Sequence, residues 1–268
     1  MDRSLLEQPQ RSCRSPGEAA AGSRTLLISE LLCESVDLHA GERVLDVPCG
    51  SGSAALAAAR RFCRAVGVDA PGPLELARRR AQAEGLEVAF KAGHTGALPV
   101  PDGTFDAVLS AGDAMSAPVV VPGRAAAELL RACRPGGRIG LVAWTPDGYL
   151  GRLAAAVGRH LPAPADGAAP VPWGTEPRLR QLFGPEVAIT APRRSFLWRF
   201  PSAEHQVAYL GAFHDPTAAA LRALGPDRAT ALRAELLELA GRFDVSEDET
   251  LVLQLDYLEA VVRRPRWG

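Results

Sequence analysis

A strand that runs directly into a glycine-rich loop, with a helix behind it, most strongly constrains how this chain folds. Residues 43–47 read RVLDV, PCGSGS follows, and an Ala-rich segment comes next. A second short apolar strand, AVGVD, ends at residue 69. Short apolar strands continue to alternate with helical segments as far as residue 144. This order predicts an α/β fold with an open, doubly wound and mostly parallel sheet.

The loop itself predicts a ligand. Gly50 and Gly52 allow the backbone to pass close to a bound molecule, and Asp69 is placed to accept both ribose hydroxyls of a nucleotide. The spacing Gly50-x-Gly52-x-x-Ala55 also satisfies the dinucleotide fingerprint. Asp46 argues against a dinucleotide, because its carboxylate would repel a pyrophosphate but favour a sulfonium and an ammonium group. We therefore expect S-adenosylmethionine here, in preference to a tight turn without a ligand.

Five stretches carry a family resemblance. They are VLDVPCGSGSAALAAAR, GALPVPDGTFDAVLS, ELLRACRPGGRIGLVAWTPDGYLG, VPWGTEPRLRQLFG and YLEAVVRR. Together they resemble class I S-adenosylmethionine-dependent methyltransferases of the UbiE/COQ5-like type, especially actinobacterial members, over roughly residues 24 to 264. The resemblance implies a Rossmann-like fold with a mostly parallel seven-stranded sheet, helices on both faces and a helical cap insertion at about residues 146–186. It also implies that Gly50 and Gly52 hold the methionyl end and Asp69 the ribose.

The loop after the third strand departs from the family pattern. Members usually have an acidic residue there that accepts the adenine amino group, whereas this chain has His94 and Thr95. A neutral imidazole accepts one hydrogen bond at one nitrogen, and the threonine hydroxyl or backbone would help. These two residues are the predicted adenine contacts, in a cofactor site that is either weakened or vestigial. The alternative is that backbone amides read the adenine and His94 is a tolerated replacement.

Two further departures supply candidate catalytic groups. Asp113 stands in the loop after the fourth strand, which faces the space for a methyl acceptor, and a carboxylate in a pocket needs a partner or a chemical role. It would deprotonate or bind the substrate, unless it merely caps a short turn. His214, in a late helical segment, is a second candidate for acid–base work.

Three functions follow from this pattern. The first is methyl transfer to a small molecule in bacterial specialised metabolism such as antibiotic biosynthesis, where positioning in line with the sulfonium supplies most of the rate. The second is a methyltransferase fold repurposed for a non-methylating step such as intramolecular displacement or ring closure. The third is a non-catalytic, methyltransferase-like partner protein.

Composition limits the partners and the compartment. The 268 residues carry a net charge of −1, which favours neither nucleic acid nor an anionic membrane. Five widely spaced cysteines and the lack of an apolar leader predict a cytoplasmic protein without a metal site. We expect a flexible arm over residues 1–22 and one methyltransferase-like domain over residues 23–268. Whether the chain forms a homodimer or binds a partner protein stays open.

Overall fold

The computed structural model describes residues 16–111, 122–161 and 173–266. The helices are α1 (Pro16–Val36), α2 (Ser53–Arg60), α3 (Pro71–Ala83), α4 (Pro122–Ala132), α5 (Tyr149–His160), α6 (Glu176–Phe183), α7 (Ala203–Phe213), α8 (Asp215–Ala223) and α9 (Pro226–Phe243). The strands are β1 (Arg43–Asp46), β2 (Arg64–Asp69), β3 (Val88–Ala92), β4 (Phe105–Ser110), β5 (Cys133–Trp144), β6 (Ala188–Thr190), β7 (Arg193–Phe200) and β8 (Leu251–Arg263).

The sheet is mixed, and its parallel part places the predicted site. The strand order is β3-β2-β1-β4-β5-β8-β6, and β7 also pairs with β8. The first five strands are parallel, whereas β8 runs antiparallel to its three partners. The carboxyl ends of β1, β2, β3, β4 and β5 therefore meet at one edge of the sheet, where ligands bind in open α/β folds. The predicted Rossmann-like fold class is confirmed.

The sheet has eight strands among the described residues rather than the expected seven. The segment after α6 forms two short strands, β6 and β7, which pair with successive parts of β8. Pro192 lies between them and has no backbone N–H to continue the ladder, although its carbonyl accepts from Glu259 N at 3.0 Å. A single long edge strand is thereby divided into two.

Both faces of the sheet are covered by helices because its central strands are apolar on both sides. Val44 of β1 packs towards α1 and α2, while Leu45 packs towards α4 and α6 on the other face. Both side chains are fully buried. Five of the seven buried residues of α2 are alanines, and these small side chains allow the helix to lie close to the sheet directly behind the glycine loop.

The helices beyond β5 form a separate cluster over one end of β7 and β8. Tyr149 and Leu153 of α5 pack with α7, α8, α9 and the first residues of β8. Of the predicted cap at about 146–186, α5 belongs to this cluster, whereas α6 packs against α4 in the core of the main sheet. At the other end of the chain, α1 begins at Pro16, so the last part of the predicted arm is helical. None of the described helices is long and apolar enough to cross a membrane.

Candidate cofactor site

The glycine loop between β1 and α2 is a tight turn in which two glycines have left-handed backbones. Gly50 has φ 52° and Gly52, the residue that precedes α2, has φ 82°. A side chain at Gly52 would also place its Cβ 3.1 Å from Cβ of Ala77 in α3. Other residues are strained at such φ values, so the loop depends on glycine at these two positions. Its amides are held at the carboxyl edge of the sheet.

Asp46 is a buried carboxylate directly below this loop. Its side chain accepts a hydrogen bond from the backbone N–H of Ala55, in the first turn of α2, at 2.8 Å. Desolvation by burial, opposed by that hydrogen bond and reinforced by the nearby Asp69, raises the pKa of Asp46 from 3.8 to about 7. Among the described residues no arginine, lysine or histidine forms an ion pair with it. The site therefore contains an acidic group whose charge no cationic side chain in the described part of the chain neutralises.

Asp69 is the last residue of β2, and its carboxylate lies beside the glycine loop. One carboxylate oxygen accepts from Gly50 N and the other from Ala70 N, both at 2.7 Å. These two bonds fix the carboxylate against the loop and leave further acceptor positions on each oxygen. Asp69 is half-buried, so a ligand can reach it from solvent. The structure brings Asp46, Asp69 and the glycine loop together, as the sequence predicts.

The His94–Thr95 loop lies beside Asp69. The backbone N–H of Gly93 donates to the carbonyl of Asp69 at 2.9 Å, and Ala97 N closes the next turn by donating to His94 O at 3.0 Å. The His94 side chain is exposed, whereas Thr95 is buried. The exposed imidazole is therefore accessible to a ligand that binds beside Asp69. The structure thus puts both residues at the predicted position and leaves their contact with adenine a prediction.

Comparison with known proteins identifies the family. A family model described as a methyltransferase domain matches residues 44–137, which contain the glycine loop and Asp69. An uncharacterized protein of Mycobacterium tuberculosis is 34% identical over 256 residues, covering 92% of this chain and 91% of that protein. The methyltransferase GfsG of Streptomyces halstedii is 37% identical over 145 residues, which is 52% of this chain and 50% of GfsG. The chain belongs to the class I S-adenosylmethionine-dependent methyltransferases.

A solved structure supports the same fold for this methyltransferase. The YcgJ protein of Bacillus subtilis superposes with a TM-score of 0.63 at 20% identity, over 89% of this chain and 99% of that chain. At that level of identity the likeness concerns the fold alone. The Rossmann-like architecture is therefore confirmed for this methyltransferase.

The two predicted catalytic residues differ in what the structure says about them. Asp113 lies outside the described residues, so its role stays a prediction. His214 precedes α8 as its capping residue, and its Nδ1 atom lies 2.7 Å from Oγ1 of Thr217 in the first turn. This contact gives the imidazole a local structural role at the junction of α7 and α8. Its acid–base role in the methyltransferase also stays a prediction.

Sequence reasoning missed an ion-pair hub that fixes the β3–β4 connection of the methyltransferase. Glu128 accepts from Leu98 N at 2.7 Å, and Arg131 donates to the carbonyl groups of Leu98 and Val100 at 3.1 and 2.8 Å. Both side chains come from α4 and pair with each other. The hub holds the segment that follows His94 against the body of the protein. The i,i+3 spacing of opposite charges was the available signal, but it is typical of any exposed helix face.

The chain after β5 is held by unusually close backbone packing. An added Cβ at Gly174 would lie 1.9 Å from the carbonyl oxygen of Trp144, and one at Gly151 would lie 2.3 Å from the carbonyl oxygen of Thr145. The Trp144 ring is tilted against Phe196 and edge-on to Tyr257, with ring centroids 6.1 and 5.8 Å apart. Glycines thus allow the segments around residues 151 and 174 to lie directly on the carboxyl end of β5.

Proposed function

We propose that this protein transfers a methyl group from S-adenosylmethionine to a small molecule in bacterial specialised metabolism, such as antibiotic biosynthesis. The observation that carries the proposal is the buried carboxylate of Asp46, which has one backbone donor and a raised pKa. A ligand that brings positive charge to the loop would offset that desolvation. A sulfonium and an ammonium group provide such charge, whereas a pyrophosphate does not.

The residues present fit the cofactor along its length. Asp46 would face the charged methionyl end, Gly50 and Gly52 would pass close to it, and Asp69 would accept from the ribose hydroxyls. The His94–Thr95 loop lies beside Asp69 and would contact the adenine. Bound S-adenosylmethionine supplies an electrophilic methyl group, so this chain has mainly to orient the acceptor and exclude water. Asp113 and His214 are the candidates for taking a proton from the acceptor.

The setting and subtype are part of the proposal. The quoted stretches favour the UbiE/COQ5-like branch, and the methyltransferase GfsG of Streptomyces halstedii is similar to 52% of this chain. The helical cluster beyond β5 is where substrate-specific residues would lie, because it packs on the part of β7 and β8 that extends past the carboxyl end of β5. Four described cysteines are free and buried, which supports a cytoplasmic protein.

Isothermal titration calorimetry with S-adenosylmethionine and S-adenosylhomocysteine tests the proposal. We expect both to bind the full-length chain with Kd values on the order of micromolar. Absence of binding by either ligand to folded protein would contradict methyl transfer. In that case Asp113→Asn and His214→Ala distinguish the two alternatives. Loss of product in vivo with an intact fold indicates a non-methylating enzyme, and unchanged product indicates a non-catalytic partner.

Replacing Asp69 by alanine is expected to weaken binding of every ligand that contains the ribose. The variant loses charge-assisted hydrogen bonds, which corresponds to roughly 10-fold to 100-fold in Kd for S-adenosylmethionine and for 5′-methylthioadenosine alike. Glu75→Ala is the matched control, because Glu75 is an exposed acidic residue of α3 that pairs with Arg78. If the Asp69→Ala and Glu75→Ala variants bound S-adenosylmethionine with equal affinity, Asp69 would not be part of the cofactor site.

A further inference from the structure

Arg80 reaches from α3 to the glycine loop and binds it at three points. One guanidinium nitrogen, Nη1, donates to the carbonyl oxygen of Ser51 at 2.8 Å, to Oγ of Ser51 at 2.8 Å and to Oγ of Ser53 at 3.1 Å. Ser51 lies between the two glycines with left-handed backbones, and Ser53 is the first residue of α2. A single side chain therefore links the middle of the loop to the start of the helix behind it.

Burying part of the Arg80 side chain without an ion pair costs desolvation free energy, which argues against an incidental surface contact. The side chain is half-buried, and it forms no ion pair with any carboxylate of the described residues. Glu84, the acidic group that acts most on it, is instead bound to Arg60 at 2.7 Å. Burial lowers the pKa of Arg80 against the opposing effect of Glu84. The hydrogen bonds of its Nη1 atom are directed to the loop.

The same face of α3 supports the loop a second time. Ala77, one turn before Arg80, lies against Gly52, where an added Cβ would approach within 3.1 Å. Residues three apart on a helix share a face, so Ala77 and Arg80 contact the loop together. Without such contacts a Ser-Gly-Ser segment would sample many backbone conformations, since glycine loses more conformational freedom on ordering than any other residue.

We propose that Arg80 is a positioning residue that holds the loop in the conformation required for cofactor binding. This inference rests on the proposed binding of S-adenosylmethionine at the loop. Arg80 acts from the helix side, through Ser51 and Ser53. Its hydrogen bonds order the loop before the ligand arrives, so that binding does not have to supply the ordering free energy.

The test combines cofactor affinity with local hydrogen exchange in the full-length chain. Arg80→Met is compared with Arg79→Met, since Arg79 is the exposed neighbour on the same helix. We expect Arg80→Met to weaken the calorimetric Kd for S-adenosylmethionine roughly tenfold and to speed amide exchange in peptides that contain residues 50–56. Arg80→Lys should recover most of the affinity, because an ammonium group donates to the same acceptors. Arg79→Met should match the wild type in both measurements.

Two results would overturn the role of Arg80. One is an Arg80→Met affinity within twofold of the Arg79→Met affinity. The other is a lowered melting temperature with unchanged affinity and unchanged exchange at residues 50–56, which would indicate a structural contact only. If Arg80→Met does not fold, the Ser51→Ala/Ser53→Ala double variant is used instead, because it removes two of the three acceptors. An unchanged affinity of this double variant for S-adenosylmethionine would also overturn the role of Arg80. If the wild type binds no cofactor, the proposed function fails, while the exchange measurement still decides whether Arg80 orders the loop.

Discussion

Asp46→Asn is expected to weaken binding of S-adenosylmethionine roughly 100-fold, because it removes the one buried negative charge that faces the proposed cationic end of the ligand. The substitution is well matched to the site. The asparagine side-chain oxygen can still accept from Ala55 N, which Asp46 contacts at 2.8 Å, so the start of α2 keeps its hydrogen bond. Calorimetry at about pH 7.5 measures the effect.

A neutral analogue and a pH series are the controls. Binding of 5′-methylthioadenosine, which has neither the sulfonium nor the amino acid, should differ little between Asp46→Asn and the wild type. In the wild type, burial raises the pKa of Asp46 to about 7, and a cation binds the ionised carboxylate better than the neutral acid. Affinity for S-adenosylmethionine should therefore rise roughly tenfold from about pH 6 to about pH 7.5. The Asp46→Asn variant should lack this rise.

Asp46→Asn should raise the free energy of unfolding, although it weakens binding of S-adenosylmethionine. The unfolded carboxyl loses its proton near pH 3.8, whereas the folded one keeps it up to about pH 7. The neutral form of Asp46 therefore contributes its full stability below about pH 3.8. This contribution is lost as the pH rises from 3.8 to about 7. Asp46→Asn should become more stable than the wild type across that window, by up to about 4 kcal/mol at neutral pH. Urea unfolding at several pH values measures this difference, and weaker binding with lower stability would contradict the assignment.

The second large effect is expected for Gly174→Ala, with a loss of about 3 kcal/mol in the free energy of unfolding. The added Cβ would lie 1.9 Å from the carbonyl oxygen and 2.5 Å from the carbonyl carbon of Trp144. Both are backbone atoms at the end of β5, so no side chain can rotate away. The segment that leads into α6 must then move off the sheet. Urea unfolding and the tryptophan fluorescence of Trp144 and Trp173 report the change.

Gly158→Ala is the matched control for this substitution. Gly158 lies within α5, and a Cβ built there meets no heavy atom of the described residues within 4 Å apart from its chain neighbours and the backbone of its own helix. Alanine favours a helix over glycine, so this variant should be neutral or more stable by about 0.5–1 kcal/mol. A Gly174→Ala protein as stable as the Gly158→Ala protein would show that the close packing on Trp144 is not required for folding.

The core of the site was predictable because its residues are close in sequence. Asp46, Gly50 and Gly52 belong to one strand-loop-helix unit, and Asp69 ends the next strand, which parallel pairing places beside it. The family-wide strand and helix order also follows from local apolar patterns. The division of the last edge into β6 and β7 was not predicted, because it depends on where Pro192 interrupts pairing with a distant strand.

The contact of Arg80 with the glycine loop could not be predicted from the sequence. In the run Arg78-Arg79-Arg80 the three side chains are chemically identical, and a charged run on a helix usually faces solvent. The rotation of α3 against the sheet decides which of them meets Ser51. The Glu128–Arg131 hub was missed for the same reason, since its acceptors are backbone carbonyl groups about thirty residues away.

The sequence alone determined the α/β class, the glycine loop, the two acidic residues beside it and the family, because those features are set by short-range patterns of strand, turn and helix. Only the tertiary structure decided that Asp46 is a buried carboxylate without an ion-pair partner among the described residues, that Arg80 binds the loop, and that Gly174 lies on the backbone of β5. Burial, desolvation and packing arise from segments that are far apart in the chain, and local patterns contain no information on how those segments meet.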